Sequence, residues 1–483
     1  MRRFYCIGCL ACLIAASLFA DNVVRQADSD LNGLIDMQPS EEALQSVLGI
    51  EVKQVEKNAE HFDLAKTFDR VQSENFTVLL NRQVVEESLQ RAYMERSRLF
   101  PQFNLELKQI RNQIDNVGRG LGPLGDIEFP PANRFDGIIA GTMSIFDLRK
   151  IADYKLARKG YKISDASYEN ILQDVLAIAG NAYLDYLRDL TRLEVIRSNI
   201  YRDRVLLELA QAQFEGGVAM RLDVTRAEVR VAEDIKQRLQ QETRVLTSSL
   251  NFKRLLNIDL DASVNLSDDR AYMKPKDYDV PLAEVLAQRA DYRAASMEVE
   301  KAKLERKAAG WEHLPKVDIF GNYGYASEDA FNSKKDNVWL VGVQLDVPVF
   351  EGFRIRSNKL RTDAVIREKQ YALKDLELVI NEEYKVVAQD MQSRYDQIII
   401  TEKKVKLAQE ELELAQDRFE KGVADNRDLV DAQNSLAVSQ DEYIDAVYQY
   451  NLSRIKFARV LGDVRLVLKA NEHAEALLSK ITS

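Results

Sequence analysis

The chain has 483 residues, 30% of them charged, with a net charge of −10 and a negative mean hydropathy. It is long enough for two or three ordinary domains, too polar for a bundle of membrane-spanning helices, and too acidic for a nucleic-acid binder, which needs a concentrated basic face. A surplus of carboxylates instead favours cations near any enclosed surface.

Residues 1–20 read as a secretory signal. Arg2 and Arg3 give a positive start, Tyr5 to Phe19 is apolar, and small residues lead to Ala20 ahead of Asp21 and Asn22, which places the cut after Ala20. All three cysteines, Cys6, Cys9 and Cys12, fall inside this segment. The processed chain then has no thiol for a disulfide or a thiolate metal site. Lipidation of Cys12 is the alternative; it would leave a short apolar region, with Cys9 where a larger aliphatic residue is expected. After residue 21 no run approaches the ~18 apolar residues of a spanning helix. An exported chain of this kind crosses a membrane by strands.

Residues 21–61 are polar and weakly patterned, an N-terminal extension with one helix expected between Ser40 and Glu60. From Phe62 to Leu99 the pattern is helical, and Phe100-Pro101-Gln102-Phe103 stops it. Phe103, Leu105 and Leu107 then alternate with Asn104, Glu106 and Lys108, which predicts a strand over 101–117. A loop rich in glycine and proline follows. A second strand is predicted over 135–147, with Ile139, Gly141, Met143 and Ile145 on one face. From Leu148 to Phe214 a helical pattern runs without proline, far too long for the interior of a globular domain. It ends in Phe214-Glu-Gly-Gly-Val-Ala-Met-Arg-Leu-Asp223, where glycine accepts the positive φ after a last turn and a short polar residue starts the next helix. That helix is predicted from about Leu222 to Leu256.

The same order returns. A helix over Leu282–Trp311 stops at Leu314-Pro315. Strands are predicted over 315–326 and 338–350, the latter with Trp339, Val341, Val343, Leu345 and Val347 on one face and Leu340, Gly342, Gln344 and Asp346 on the other. A long helix runs to Phe419, and Phe419-Glu-Lys-Gly-Val-Ala-Asp-Asn-Arg-Asp428 repeats the earlier tip. The last helix reaches Leu461, and residues 463–483 form a tail. The chain thus reads as two repeats, 62–270 and 281–462, with tips at 214–223 and 419–428. In the second long helix Leu376, Ile380, Tyr384, Val387, Met391, Tyr395 and Ile398 recur at close to an eleven-residue period. Val405, Ala408, Leu412, Ala415 and Phe419 follow a heptad.

Four amphipathic strands cannot close a barrel, and an open sheet edge cannot be left in lipid. Copies of the chain must therefore share one barrel. Two would give eight strands and a filled interior; three would give twelve and an open lumen. The expected fold is an α+β membrane protein. It is a trimeric twelve-stranded transmembrane β-barrel, four strands per chain, continued by a long antiparallel α-helical tunnel or coiled coil, with an internal two-fold repeat.

Leu314-Pro315 before a strand, Val347-Pro348-Val-Phe-Glu-Gly352 after one, Arg418-Phe-Glu-Lys-Gly422 followed by Leu429, and the doubled architecture resemble the TolC-type outer-membrane efflux protein family over about residues 62–462. The resemblance implies a homotrimer embedded in outer-membrane lipid, with a helical tunnel in the periplasm. It implies tips that meet a periplasmic adaptor protein, and an inner-membrane efflux pump or ABC transporter as source of the cargo. It also implies an aspartate ring narrowing the periplasmic entrance, at positions matching Asp428 and Asp431, one helical turn apart. Like charges brought together favour a cation among them, so the pair is expected to act as a cation-selective gate. Asp223 is the equivalent of Asp428 in the first repeat, and Arg226 replaces the equivalent of Asp431. Some family members carry a basic latch residue two positions after the tip glycine. Here both equivalents are alanine, Ala219 and Ala424, and Arg427 and Arg221 are the candidate substitutes. Gly217, Val218, Ala219, Gly422, Val423 and Ala424 are the expected adaptor contacts.

No cofactor, no metal and no nucleic acid is expected. The three histidines, His61, His313 and His473, are scattered and form no ligand or nucleophile motif, so the chain does not read as an enzyme. The competing reading is a soluble periplasmic coiled-coil adaptor or structural protein. An adaptor has one helical hairpin, not two units each with two amphipathic strands.

Overall fold

The computed structural model of the protein describes residues 60–112, 132–267, 280–330, 336–421 and 426–468. The signal segment 1–20, residues 21–59 of the extension, the second-tip residues Gly422, Val423 and Ala424, and residues 469–483 of the tail lie outside the described residues. The chain divides into two compact units. In the smaller, β1 (Glu60–Phe62) pairs in parallel with β4 (Val264–Leu266), Glu60 opposite Val264.

The larger unit holds the long elements. Its helices are α1 (Leu64–Glu74), α2 (Phe76–Ser97), α3 (Leu148–Glu215), α4 (Arg221–Leu255), α5 (Leu282–Gln288), α6 (Ala290–Trp311), α7 (Arg354–Glu420) and α8 (Asn426–Leu461). Its strands are β2 (Gln102–Asn112), β3 (Ala132–Phe146), β5 (Lys316–Ser327) and β6 (Asp336–Asp346). At 1.5 Å per residue, the 68 residues of α3 and 67 of α7 each span about 100 Å. Among the described residues no helix is long and apolar enough to cross a membrane.

The strands form one antiparallel sheet in the order β2-β3-β5-β6. Alternation along each strand meets its neighbours in register. Leu105 lies opposite Ile139, Ile139 opposite Tyr323, and Tyr323 opposite Trp339. The next row on that face is Phe103, Gly141, Gly321 and Val341, and a third is Met143, Ile319 and Val343. This face is apolar and bare: Phe103 and Trp339 are both 72% exposed. On the opposite face Asn104, Ala140 and Asn322 share a row, as do Ser144, Asp318 and Gln344. Lys150 donates to Ser144, which donates to Asp318. Two glycines make room for rings from the adjoining strand: a Cβ on Gly141 would lie 2.9 Å from the Phe103 ring, and one on Gly342 would lie 2.6 Å from that of Phe320.

The helices pack in the order of their strands. α3 packs against α2 and α6, and α6 against α7; farther from the sheet α3 packs against α4 and α8, and α8 against α7. The apolar seam of α7 faces α8. Ile380, Met391 and Ile398 join Val447, Tyr450 and Phe457, and Ala408, Leu412 and Phe419 join Leu429, Ala432 and Leu436. Polar rungs cross between helices: Arg192–Asp441 at 2.6 Å and Arg459–Asp174 at 2.7 Å tie α3 to α8, and Arg306–Asp363 at 2.7 Å ties α6 to α7.

Two helices expected to be continuous are divided. Between Phe62 and Leu99, Asn75 takes an extended ψ of 127° and ends α1. Its side-chain oxygen accepts from the backbone of Thr77 at 2.9 Å and Val78 at 3.4 Å, and its amide donates to the Leu255 carbonyl of α4 at 2.8 Å. An asparagine that caps the next helix in this way competes with the helix it interrupts. Between Leu282 and Trp311 the break falls at Arg289, whose buried guanidinium pairs with Asp291 at 2.6 Å and with Glu383 of α7 at 2.7 Å. Apolar periodicity passes through both positions, so the pattern alone reads one helix.

Replacing Asn75 by Ala removes the α2 cap and the tie to α4. The expected loss is about 1 kcal/mol of stability from the cap, read as a lower thermal midpoint in circular dichroism at 222 nm. Asn75→Asp, which keeps the cap oxygen, should lose less.

Candidate functional site

The first hairpin tip is built by backbone alone. α3 ends at Glu215, Gly216 follows in helical geometry, and Gly217 takes φ +71°. The Val218 amide donates to the Gln213 carbonyl at 2.9 Å and that of Gly217 to Phe214 at 3.0 Å. This is the paired closure by which a left-handed glycine satisfies the last carbonyls of a helix. The turn pushes Val218, 77% exposed, and Met220 into the open, with Ala219 half-buried between them.

α4 then starts on a carboxylate. The Met220 amide donates to Asp223 Oδ2 at 3.0 Å, and Arg226 stands 3.9 Å from Asp223 Oδ1. Asp223 is therefore a helix-starting group in partial contact with a cation. Arg221 reaches Glu228 at 3.9 Å and lies on the exposed side of the helix. Each of these three charges is thus spoken for within α4.

In α8, Asp428 lies in the first turn and Asp431 one turn farther, both exposed. Acidic groups there are favoured by the helix dipole. Arg427 approaches Asp431 at 3.8 Å, with both side chains at least 70% exposed. A surface pair in that geometry contributes little and leaves the carboxylates open to solvent. Leu429, between them on the helix, is buried with Phe419 and Leu412 and anchors this turn to α7. The two aspartates are thus held on a fixed helix face while their carboxyl groups stay wet. Arg427 approaches Asp431, whereas Arg221 is turned toward Glu228. Among the described residues no group of three His, Cys, Asp or Glu side chains could hold a metal ion.

One cluster escaped the sequence reading. Asp203 of α3 and Asp234 of α4 are 3% and 2% exposed, with Arg230 between them and Gln433 and Asn434 of α8 beside them. The signal was present: two aspartates stand on the inward face of helices otherwise lined there by Ile200, Leu207, Val224 and Val231.

A sheet with one bare apolar face about as tall as a bilayer, carried on helices about 100 Å long, defines a membrane protein that spans by strands and projects a helical stem. The outer membrane efflux protein family matches residues 68–257 and 282–463, and the chain belongs to that family. It is 23% identical over 297 residues to nodulation protein T of Rhizobium leguminosarum bv. trifolii, a match covering 59% of this chain and 63% of that relative's own length. It is 24% identical over 386 residues to the toluene efflux pump outer membrane protein TtgF of Pseudomonas putida, 76% of each chain. Among solved structures, the open-state outer membrane channel MtrE of Neisseria gonorrhoeae superposes with a TM-score of 0.71 at 18% identity, covering 83% of this chain and 89% of that one. The fold is that of these outer-membrane channels, a β domain continued by long helices. The protein is an outer-membrane efflux channel, and not an enzyme. The alternative of a soluble adaptor falls with the match of both halves of the chain to a membrane-channel family.

Asp223→Ala should remove the start signal of α4. Amide exchange of residues 220–224 is expected to quicken, with about 1 kcal/mol of local stability lost, while α8 amides stay unchanged.

Proposed function

We propose that three copies of the chain close one twelve-stranded barrel and one helical tunnel, which together form the exit duct of a tripartite export system gated at its periplasmic tips. The observation that carries this reading is the pair of free edges. β2 and β6 each have a neighbour on one side only, and an unpaired strand edge is untenable in hydrocarbon. Each edge needs a partner strand, and the chain holds none among its described residues. The strands are 11 to 15 residues long, enough to cross a bilayer when tilted. Two chains would fill their lumen with side chains, and three leave it open.

The helices support the same closure. α4 and α7 stand at opposite edges of the helical row, and each bears an unpartnered apolar stripe. On α4 it is Leu222, Val229, Leu239 and Leu246; on α7 it is Val386, Ile400, Leu407 and Leu414. A head-to-tail interface that closes as a ring covers one stripe with the other.

In this reading residues 1–20 are a signal segment, 21–61 an extension, 62–270 and 281–462 two halves of an internal repeat, and 463–483 a tail. Doubling of the elements β2-β3-α3-α4 as β5-β6-α7-α8 supports the repeat. Three copies bring Asp428 and Asp431 of each chain to the tunnel mouth as a ring of carboxylates that holds cations and narrows passage, with Arg427 available to close against it. The tips around Val218 and Val423 receive a periplasmic adaptor, and an inner-membrane pump or ABC transporter supplies the cargo. The relatives' names include an efflux pump for toluene; an apolar small molecule is one cargo class that such a duct suits.

The double variant Asp428→Ala with Asp431→Ala tests the gate in planar bilayers. Cation selectivity and block by divalent cations should both fall about tenfold or more; if both persist unchanged, the carboxylate ring is not the filter. A photocrosslinker at Val218 should capture an adaptor in cells where export works, and its failure there would count against the tip contact.

A further inference from the structure

The buried aspartates Asp203 and Asp234 stand apart from the first tip and are not needed to build the helices. Each nevertheless sits where the first hairpin meets α8. Arg230 is the hub. Its Nε donates to Asp203 Oδ2 at 3.1 Å, one terminal nitrogen stands 3.5 Å from Asp234 Oδ1, and the other donates to Asn434 of α8. Gln433 of α8 donates to the second oxygen of Asp203 at 3.0 Å. Three helices are thereby joined through one cation and two carboxylates.

The cluster is short of one donor. The second oxygen of Asp234, Oδ2, is buried and meets no donor. The charged and titratable groups that face it are Asp203 and Arg202 from α3 and Arg230 from its own helix. Arg202 is engaged with the Asn199 oxygen, and α8 contributes only the neutral amides of Gln433 and Asn434. With both carboxylates ionised, one negative charge would lie out of water on an oxygen that meets no donor, which is costly. One shared proton removes that charge and turns Asp234 into a donor toward Asp203.

We propose that Asp203 and Asp234 are a proton-locked clasp: with the proton in place they bind the first hairpin to α8, and on losing it they release α4 from that contact. Burial, followed by the hydrogen bond to Asp203, pushes the Asp234 carboxyl up to about 7, against the lowering effect of Arg230. An aspartate in an unfolded chain titrates near 3.9. Between these values the folded protein holds a proton that the unfolded chain releases. The clasp is therefore fully stabilising below about pH 4 and loses that contribution as pH rises through about 7. Arg230 and Asp234 lie about 14–20 Å along α4 from its start at the tip, taken at 1.5 Å per residue. Release at the clasp would free the tip-proximal part of α4, a consequence that rests on the gating reading above.

Hydrogen–deuterium exchange of the purified, assembled channel tests the clasp directly. Exchange of α4 peptides covering residues 224–240, corrected for the intrinsic pH dependence of amide exchange, is read from pH 5.5 to 8.5. In the wild type, protection should fall by up to about tenfold per pH unit as pH rises toward 7 and level off above it. Asp234→Asn, neutral throughout, should hold the protected state across the range. A flat wild-type profile, or a variant that keeps the wild-type pH dependence, overturns the proposal. Should Asp234→Asn fail to assemble, Asp203→Asn serves. With its neighbour neutral, Asp234 ionises more readily against Arg230 and Arg202, and the pH at which the fall levels off should drop by about one unit or more; an unmoved levelling-off point overturns the clasp. This readout is local to α4, so it stands or falls apart from the conductance that tests the gate.

Discussion

Everything in the larger unit is subordinate to the need to pair backbone amides in hydrocarbon. A sheet of four strands has two open edges, and water cannot satisfy them at membrane depth. The chain answers this with strands that gather a continuous apolar surface on one face, from Phe103 and Leu105 across to Trp339 and Val341. The opposite face carries Asn104, Asn322, Asp318 and Gln344, which lipid would not tolerate. One polypeptide therefore presents a wall with a lipid side, a wet side and two unfinished margins. A channel family is the natural home of such a wall, and the family match over both halves of the chain places it there.

The helices inherit their arrangement from the strands. Because β2, β3, β5 and β6 are side by side, the helices that enter or leave them are side by side too: α2, α3, α6 and α7. Each long helix can then bury only a stripe against each neighbour. The seam of α7 shows how this is met, with Ile380, Met391 and Ile398 inward and Tyr371, Leu378 and Leu407 left bare. Polar rungs such as Arg192–Asp441 set the register between helices rather than supplying the attraction.

Two kinds of carboxylate coexist in the helical part. Asp428 and Asp431 are wet and sit near a helix start. Asp203 and Asp234 are dry and share one arginine, so charge there is in competition. The same residue type thus serves as an open electrostatic surface in one place and as a protonation-dependent contact in another, and only its surroundings differ.

Much of this was legible in the residues. Alternation at Phe103, Leu105 and Leu107 marks a strand, because a pleated chain can expose apolar side chains to one side only at every second position. The absence of proline between Leu148 and Phe214 marks a long helix, and Gly217 marks its end, because few other residues accept φ +71°. Those are local rules, and local sequence states them. The divisions at Asn75 and Arg289 were not legible, because their cause is a partner distant in the chain: the Leu255 carbonyl for one and Glu383 for the other. The cluster around Arg230 was legible only as two aspartates on otherwise apolar helix faces; what they meet was not, because it is the packing of α3, α4 and α8 that brings Asp203, Asp234 and Gln433 together. Periodicity along one chain determined which elements form and which way each strand faces; the meeting of distant side chains, which no spacing encodes, was decided by the tertiary structure alone.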